Sequence, residues 1–145
     1  LVLIASGARL RVAPALLEMI SRDFSAGVAL MTQWAWAAGV DPGTLKRGED
    51  VLRAVGPAVL LSDLVACDRF DVLERLGEIG APALVIVGAA DQLTPVKYAR
   101  FLADHIPAAG LVEIEGAGHM VMLERPAEVT AAVREFLRRR GREPA

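Results

Sequence analysis

Cysteine occurs once in the 145 residues, as Cys67. A single thiol excludes an internal disulfide, a cysteine-based zinc site and a dithiol redox pair, and such a chain is expected in the cytoplasm. Aromatic residues amount to 5%, and neither charge dominates: 16 Lys and Arg stand against 18 Asp and Glu, for a net charge of -2. The only basic cluster, Arg138-Arg139-Arg140, falls in the last turn of a predicted helix, where cations suit the helix dipole. By charge the chain is therefore no nucleic-acid binder. Long apolar runs are missing as well. The longest uncharged stretch, Phe24 to Val40, falls short of the roughly 20 residues a membrane span needs. It also contains Ser25, Thr32 and Gln33, so a buried or half-buried helix is the better reading and no membrane partner is expected. Leu1-Val2-Leu3-Ile4-Ala5 has no charged segment before it and is too short for a signal peptide. Gly116-Ala117-Gly118 lacks the third glycine and the following helix of a dinucleotide fingerprint, and no phosphate loop or metal-ligand spacing occurs. No cofactor and no metal are expected.

What is present is apolar: 54% of the residues are hydrophobic, enough for a core in one domain. Ala83-Leu84-Val85-Ile86-Val87-Gly88 is short, rich in β-branched residues and closed by glycine, which reads as a buried strand of a parallel sheet. Asp91 sits just past its tip. A second run, Leu111-Val112-Glu113-Ile114, is followed by Glu115-Gly116-Ala117-Gly118-His119, so a histidine also emerges beyond a strand end. In open α/β sheets, ligands and catalytic groups gather at that edge.

Between the opening run and Asp68, the sequence turns helical from Pro14 onward, with breakers at Gly39, Asp41-Pro42-Gly43 and Gly56-Pro57. Three or four helices are expected, with Pro14 in a first turn, Asp41 as a cap before Pro42, and Pro57 opening another helix. On one helical face lie Leu30, Met31, Trp34 and Ala38, whereas Trp36 points elsewhere. Met31 and Trp34 are candidate walls of an apolar acyl pocket, although stripes of Met and Trp more often just pack. Asp68 and Asp71 are expected to cap helices, and Asp63 follows no buried strand. A helix is predicted from Thr94 as N-cap with Pro95 in its first position. His105, at that helix's end, is expected to satisfy free carbonyls rather than act in catalysis. Val129, Ala132, Val133, Phe136 and Leu137 mark an amphipathic closing helix over Pro126 to Arg140, followed by a tail over 141–145.

Gly88-Ala89-Ala90-Asp91-Gln92-Leu93-Thr94-Pro95 resembles the G-x-x-D-x-x-x-P acid loop of α/β-hydrolases. Gly116-Ala117-Gly118-His119 with Glu124-Arg125-Pro126 resembles their G-x-G-H…E-x-P histidine loop. The order acid then histidine is the one that follows the nucleophile in that family. The resemblance implies an α/β fold made of about three parallel strands with flanking helices. It divides the chain into a core strand and loop (1–13), a helical cap (14–69) and the C-terminal part of the hydrolase core (70–140). It also implies a small acyl substrate, an ester, lactone or similar bond, with Asp91 orienting His119 and His119 acting as general base and then general acid.

The nucleophile of this scheme has no counterpart. A serine in a G-x-S-x-G elbow is needed. Ser6 has Ile4 rather than glycine two places before it; Ser21, Ser25 and Ser62 lie in helical sequence without elbow glycines, and Cys67 fails the same test. The resemblance therefore implies the second half of a hydrolase, beginning in mid-sheet. Its first half would be missing by truncation, supplied by pairing with another chain or a second copy, or lost in a module that binds without catalysis. A dehalogenase with an aspartate nucleophile and a cofactor-free perhydrolase are the enzymatic alternatives.

Overall fold

The computed structural model describes residues 1–140, so the tail anticipated over 141–145 lies outside the described residues. Three parallel strands form one sheet in the order β1 (Val2–Ile4), β2 (Ala83–Gly88), β3 (Ala109–Ile114). Leu3 pairs with Val85, and Val85 with Leu111. All six residues of β2 are buried, as its unbroken apolar run requires of a strand covered on both faces. Successive side chains point to opposite faces. Thus Ala83, Val85 and Val87 pack beneath α5 (Val96–His105), while Leu84 and Ile86 face the layer that contains α6 (Val121–Glu124) and α7 (Pro126–Arg140). Each large aliphatic side chain removed from water contributes roughly 1.5–3 kcal/mol, so this strand anchors both layers. β3 begins two residues before the predicted run because Ala109 and Gly110 pair with Ala83 and Leu84 despite their weak strand propensity.

Four helices stand between β1 and β2: α1 (Pro14–Arg22), α2 (Phe24–Ala35), α3 (Pro42–Val55) and α4 (Pro57–Arg69). Proline opens α1, α3 and α4, and Asp41 accepts the Thr44 N–H at 3.0 Å as the cap of α3. The block has its own core of Leu16, Ile20, Val28 and Leu60. Its entrance and exit run side by side: Leu10 N donates to Phe70 O and Val72 N to Ala8 O, in an antiparallel pair. Asp68 is not the predicted cap. Its Oδ1 accepts the Val12 N–H across that stem at 3.0 Å, while Asp71 accepts the Leu73 N–H at the start of a 3₁₀ turn (Leu73–Glu78).

Two further expectations are corrected. Pro95, not Thr94, stands at the cap position of α5, because Thr94 is drawn into hydrogen bonds with Asp91. Leu137 is exposed, since the cluster under α7 ends at Phe136. Arg138 and Arg139 both bond Glu135, whose carboxyl they push down to about 2, so the basic cluster is partly neutralised within its own helix. Among the described residues, no helix is long and apolar enough to cross a membrane.

Candidate active site

Asp91 follows β2 by three residues, and His119 follows β3 by five, at the same end of the sheet. The two loops are stitched together. Ala89 N donates to Ile114 O and Ala90 N to Ala117 O, each at 2.9 Å. The histidine loop crosses directly over the end of β2, where a Cβ on Gly88 would overlap the carbonyl oxygens of Ala117 and Gly118. Only glycine fits there. Gly116 makes the preceding turn at φ +64, a conformation that side chains disfavour.

The Asp91 carboxylate is fully used. Oδ1 accepts the N–H groups of Leu93 (2.9 Å) and Thr94 (2.8 Å), and Oδ2 accepts the Thr94 hydroxyl (2.8 Å) and lies 3.0 Å from His119 Nδ1. Burial pushes the Asp91 pKa up and is the largest single influence. The His119 hydrogen bond and the Thr94 donors together outweigh it, so the carboxyl titrates below its ordinary range. Because an ionised carboxylate only accepts, His119 Nδ1 carries the hydrogen, so in the neutral imidazole the lone pair is on Nε2. Thr94 Oγ1, 3.2 Å from His119 Nδ1, is a second acceptor for the same N–H. The Asp91 side chain is wholly buried and that of His119 is 26% exposed, so the imidazole is the member of the pair open to a substrate.

His119 lies between two cavities. One, of about 550 Å³, is walled mainly by apolar side chains including Met31, Trp36, Leu52, Leu93 and Met120. The other, of about 340 Å³, runs past Leu16, Trp34, Leu64 and Cys67. Met31 touches both cavities and Trp34 the second, while each also packs on the core of the helical block. Trp36, which the helical spacing sets apart from that face, ends α2 and turns inward onto the first cavity, 7% exposed. Its position depends on the helix stopping at Ala35, which no pattern in the sequence announces. His105 is elsewhere: its Nδ1–H meets the Phe101 carbonyl at 2.8 Å, four residues back along α5. Asp63 is exposed on α4, and Ser21, Ser25 and Ser62 lie within helices. Among the described residues no cluster of metal-binding side chains occurs.

A family model described as "Alpha/beta hydrolase family" matches residues 1–133. The chain belongs to the α/β-hydrolase family. Among solved structures, a thermophilic esterase superposes with a TM-score of 0.87 at 42% identity, covering 95% of this chain and 55% of the esterase. Est816, an N-acyl homoserine lactone degrading enzyme, superposes with a TM-score of 0.82 at 26% identity, covering 93% and 56%. A pimeloyl-[acyl-carrier protein] methyl ester esterase of Neisseria meningitidis is 31% identical over 88 residues, 61% of this chain and 34% of that enzyme. The chain thus spans about half the length of these solved relatives. Its relatives include enzymes of ester and lactone cleavage.

Proposed function

We propose that this chain supplies the acid and the base of a hydrolytic triad that cleaves esters, lactones or similar acyl bonds without a cofactor. The observation that carries the reading is the 3.0 Å contact between the buried Asp91 carboxylate and His119 Nδ1 beside an apolar cavity. His119 Nε2 takes the proton of a nucleophilic hydroxyl as its oxygen bonds to the substrate's carbonyl carbon. Asp91 holds the imidazole's orientation and stabilises the imidazolium. The imidazolium then protonates the leaving alcohol. A water molecule repeats the sequence on the acyl-enzyme, releasing the acid and restoring the nucleophile.

The nucleophile itself comes from outside residues 1–145, since none of the four serines here stands in an elbow. β1 offers a place for it. Leu1 O and Ala5 N bond β2, which leaves the Val2 and Ile4 N–H groups directed away from that strand. A further parallel strand on that edge, from the same polypeptide or another copy, brings its tip to the end of the sheet where Asp91 and His119 lie. The helical block α1–α4 acts as the cap that roofs the site, Met31 and Trp36 line the acyl pocket, and Trp34 lines the second cavity beside His119. The single free Cys67 suits a cytoplasmic enzyme.

In the polypeptide that carries the nucleophile, His119→Ala is expected to lower kcat/KM for an activated ester such as a p-nitrophenyl ester by about 10³-fold or more. His105→Ala should remain within about twofold, being a surface substitution. Near-normal turnover in His119→Ala removes the assignment.

A further inference from the structure

Glu124 is a landmark of the histidine loop in the sequence, without a chemical role in the scheme above. Its carboxylate reaches two distant backbone groups. Both oxygens lie 3.0 Å from the Gly118 N–H, and Oε2 is also 3.0 Å from the N–H of Ala37, two residues past α2. On the other side of His119, Met120 N donates to Ala35 O at 3.0 Å. The residues before and after His119 are thus bound to the same three-residue junction of the helical block. The approach is close: a Cβ on Gly118 would sit 2.6 Å from Ala37 N. Arg125 holds the start of the loop, donating from Nη2 to Gly116 O at 2.9 Å.

Between Ala35 and Ala37 stands Trp36, whose ring crosses Gly48 of α3 so closely that a Cβ there would lie 2.9 Å from Cζ2. The same ring lines the cavity that His119 opens onto. The geometry points to Glu124 as a positioning residue that fixes the catalytic histidine to the wall of the acyl pocket, so that the place of the imidazole and the depth of the pocket are set by one carboxylate. This rests on the hydrolase reading. Two backbone donors from separate segments converge on an ionisable acceptor, which makes both bonds charge-assisted and stronger than neutral ones. Without that acceptor the side of the loop before His119 loses its tie to the junction, and only the Met120–Ala35 bond after it remains. A displacement of the imidazole by about 1 Å costs on the order of a hundredfold in rate.

The test uses the polypeptide that carries the nucleophile, with p-nitrophenyl esters of short and long acyl chains. Glu124→Ala is expected to lower kcat by about a hundredfold, with KM for the short ester within about threefold, and to flatten the preference among chain lengths. Amide hydrogen exchange should accelerate at Gly118 and Ala37 together, beyond the change at the buried amides of β2. Glu124→Gln, which keeps one oxygen for the two donors but turns an amide N–H toward Gly118, should lose about three- to tenfold in kcat. Should Glu124→Ala fail to fold, Glu124→Gln decides by the same readouts. Folded variants with kcat unchanged, or with unaltered exchange at both amides, overturn the role. Absence of ester turnover in the unsubstituted polypeptide sinks the hydrolase reading and this role with it, whereas failure confined to the variants sinks the role alone.

Discussion

At the scale of single residues, the site turns on an acid that is buried yet stays charged. Taking Asp91 out of water favours its neutral form, and His119 with the two Thr94 donors reverses that preference. Because its folded pKa lies below the ordinary 3.8, the unfolded chain binds more protons between the two values. Stability from this group is therefore complete above the unfolded value and lost as pH falls through the folded one. Denaturant titrations across that acid interval should show the stability of the parent rising with pH, while Asp91→Asn shows a flatter profile; equal slopes would count against the carboxylate's charge. The residue types were legible in the sequence, since an acid and a histidine past two strand tips are visible in the spacing alone. Thr94 was legible only in part. Read as a helix cap, its hydroxyl instead serves Asp91, because a competing carboxylate lies three residues away and the sequence does not show which acceptor wins.

At the scale of elements, the loops owe their shape to backbone rather than to side chains. β2 was readable because an uninterrupted apolar run of its length fits a strand buried on both faces. The close passage of the histidine loop over Gly88 was not, since it depends on a strand more than twenty residues later in the chain. Gly88→Ala is expected to cost at least about 3 kcal/mol in chemical denaturation, because the methyl group meets backbone oxygens that cannot rotate away. The turn between α5 and β3 gives the opposite sign. Ala108 is held at φ 56 on the surface, so Ala108→Gly should raise stability by about 0.5–1 kcal/mol in the same assay. A destabilised Ala108→Gly would mean that the left-handed turn is not formed. In the helical block, prolines and Asp41 announced the starts of α1, α3 and α4 but not that of α2, which Asp23 caps, and the inward turn of Trp36 follows from how α2 ends against α3 and the histidine loop.

At the scale of the whole molecule, three parallel strands carry two layers of helices, and β1 has a neighbour on one side only among the described residues. If a further strand docks there, the Val2 and Ile4 amides should exchange with solvent as slowly as those of β2 in the polypeptide that carries the nucleophile; rapid exchange at both places the missing group elsewhere. The lack of an elbow serine was legible in the sequence, whereas β1's place at the sheet edge was not, since it follows from a strand order that only the fold displays. Covalent labelling tests the pairing of His119 with a nucleophile most directly. Treated with a fluorophosphonate and digested for mass spectrometry, the polypeptide should carry the label on one serine outside residues 1–145, and His119→Ala should abolish the labelling. A label on Ser6, Ser21, Ser25 or Ser62, or one that survives loss of the imidazole, contradicts it.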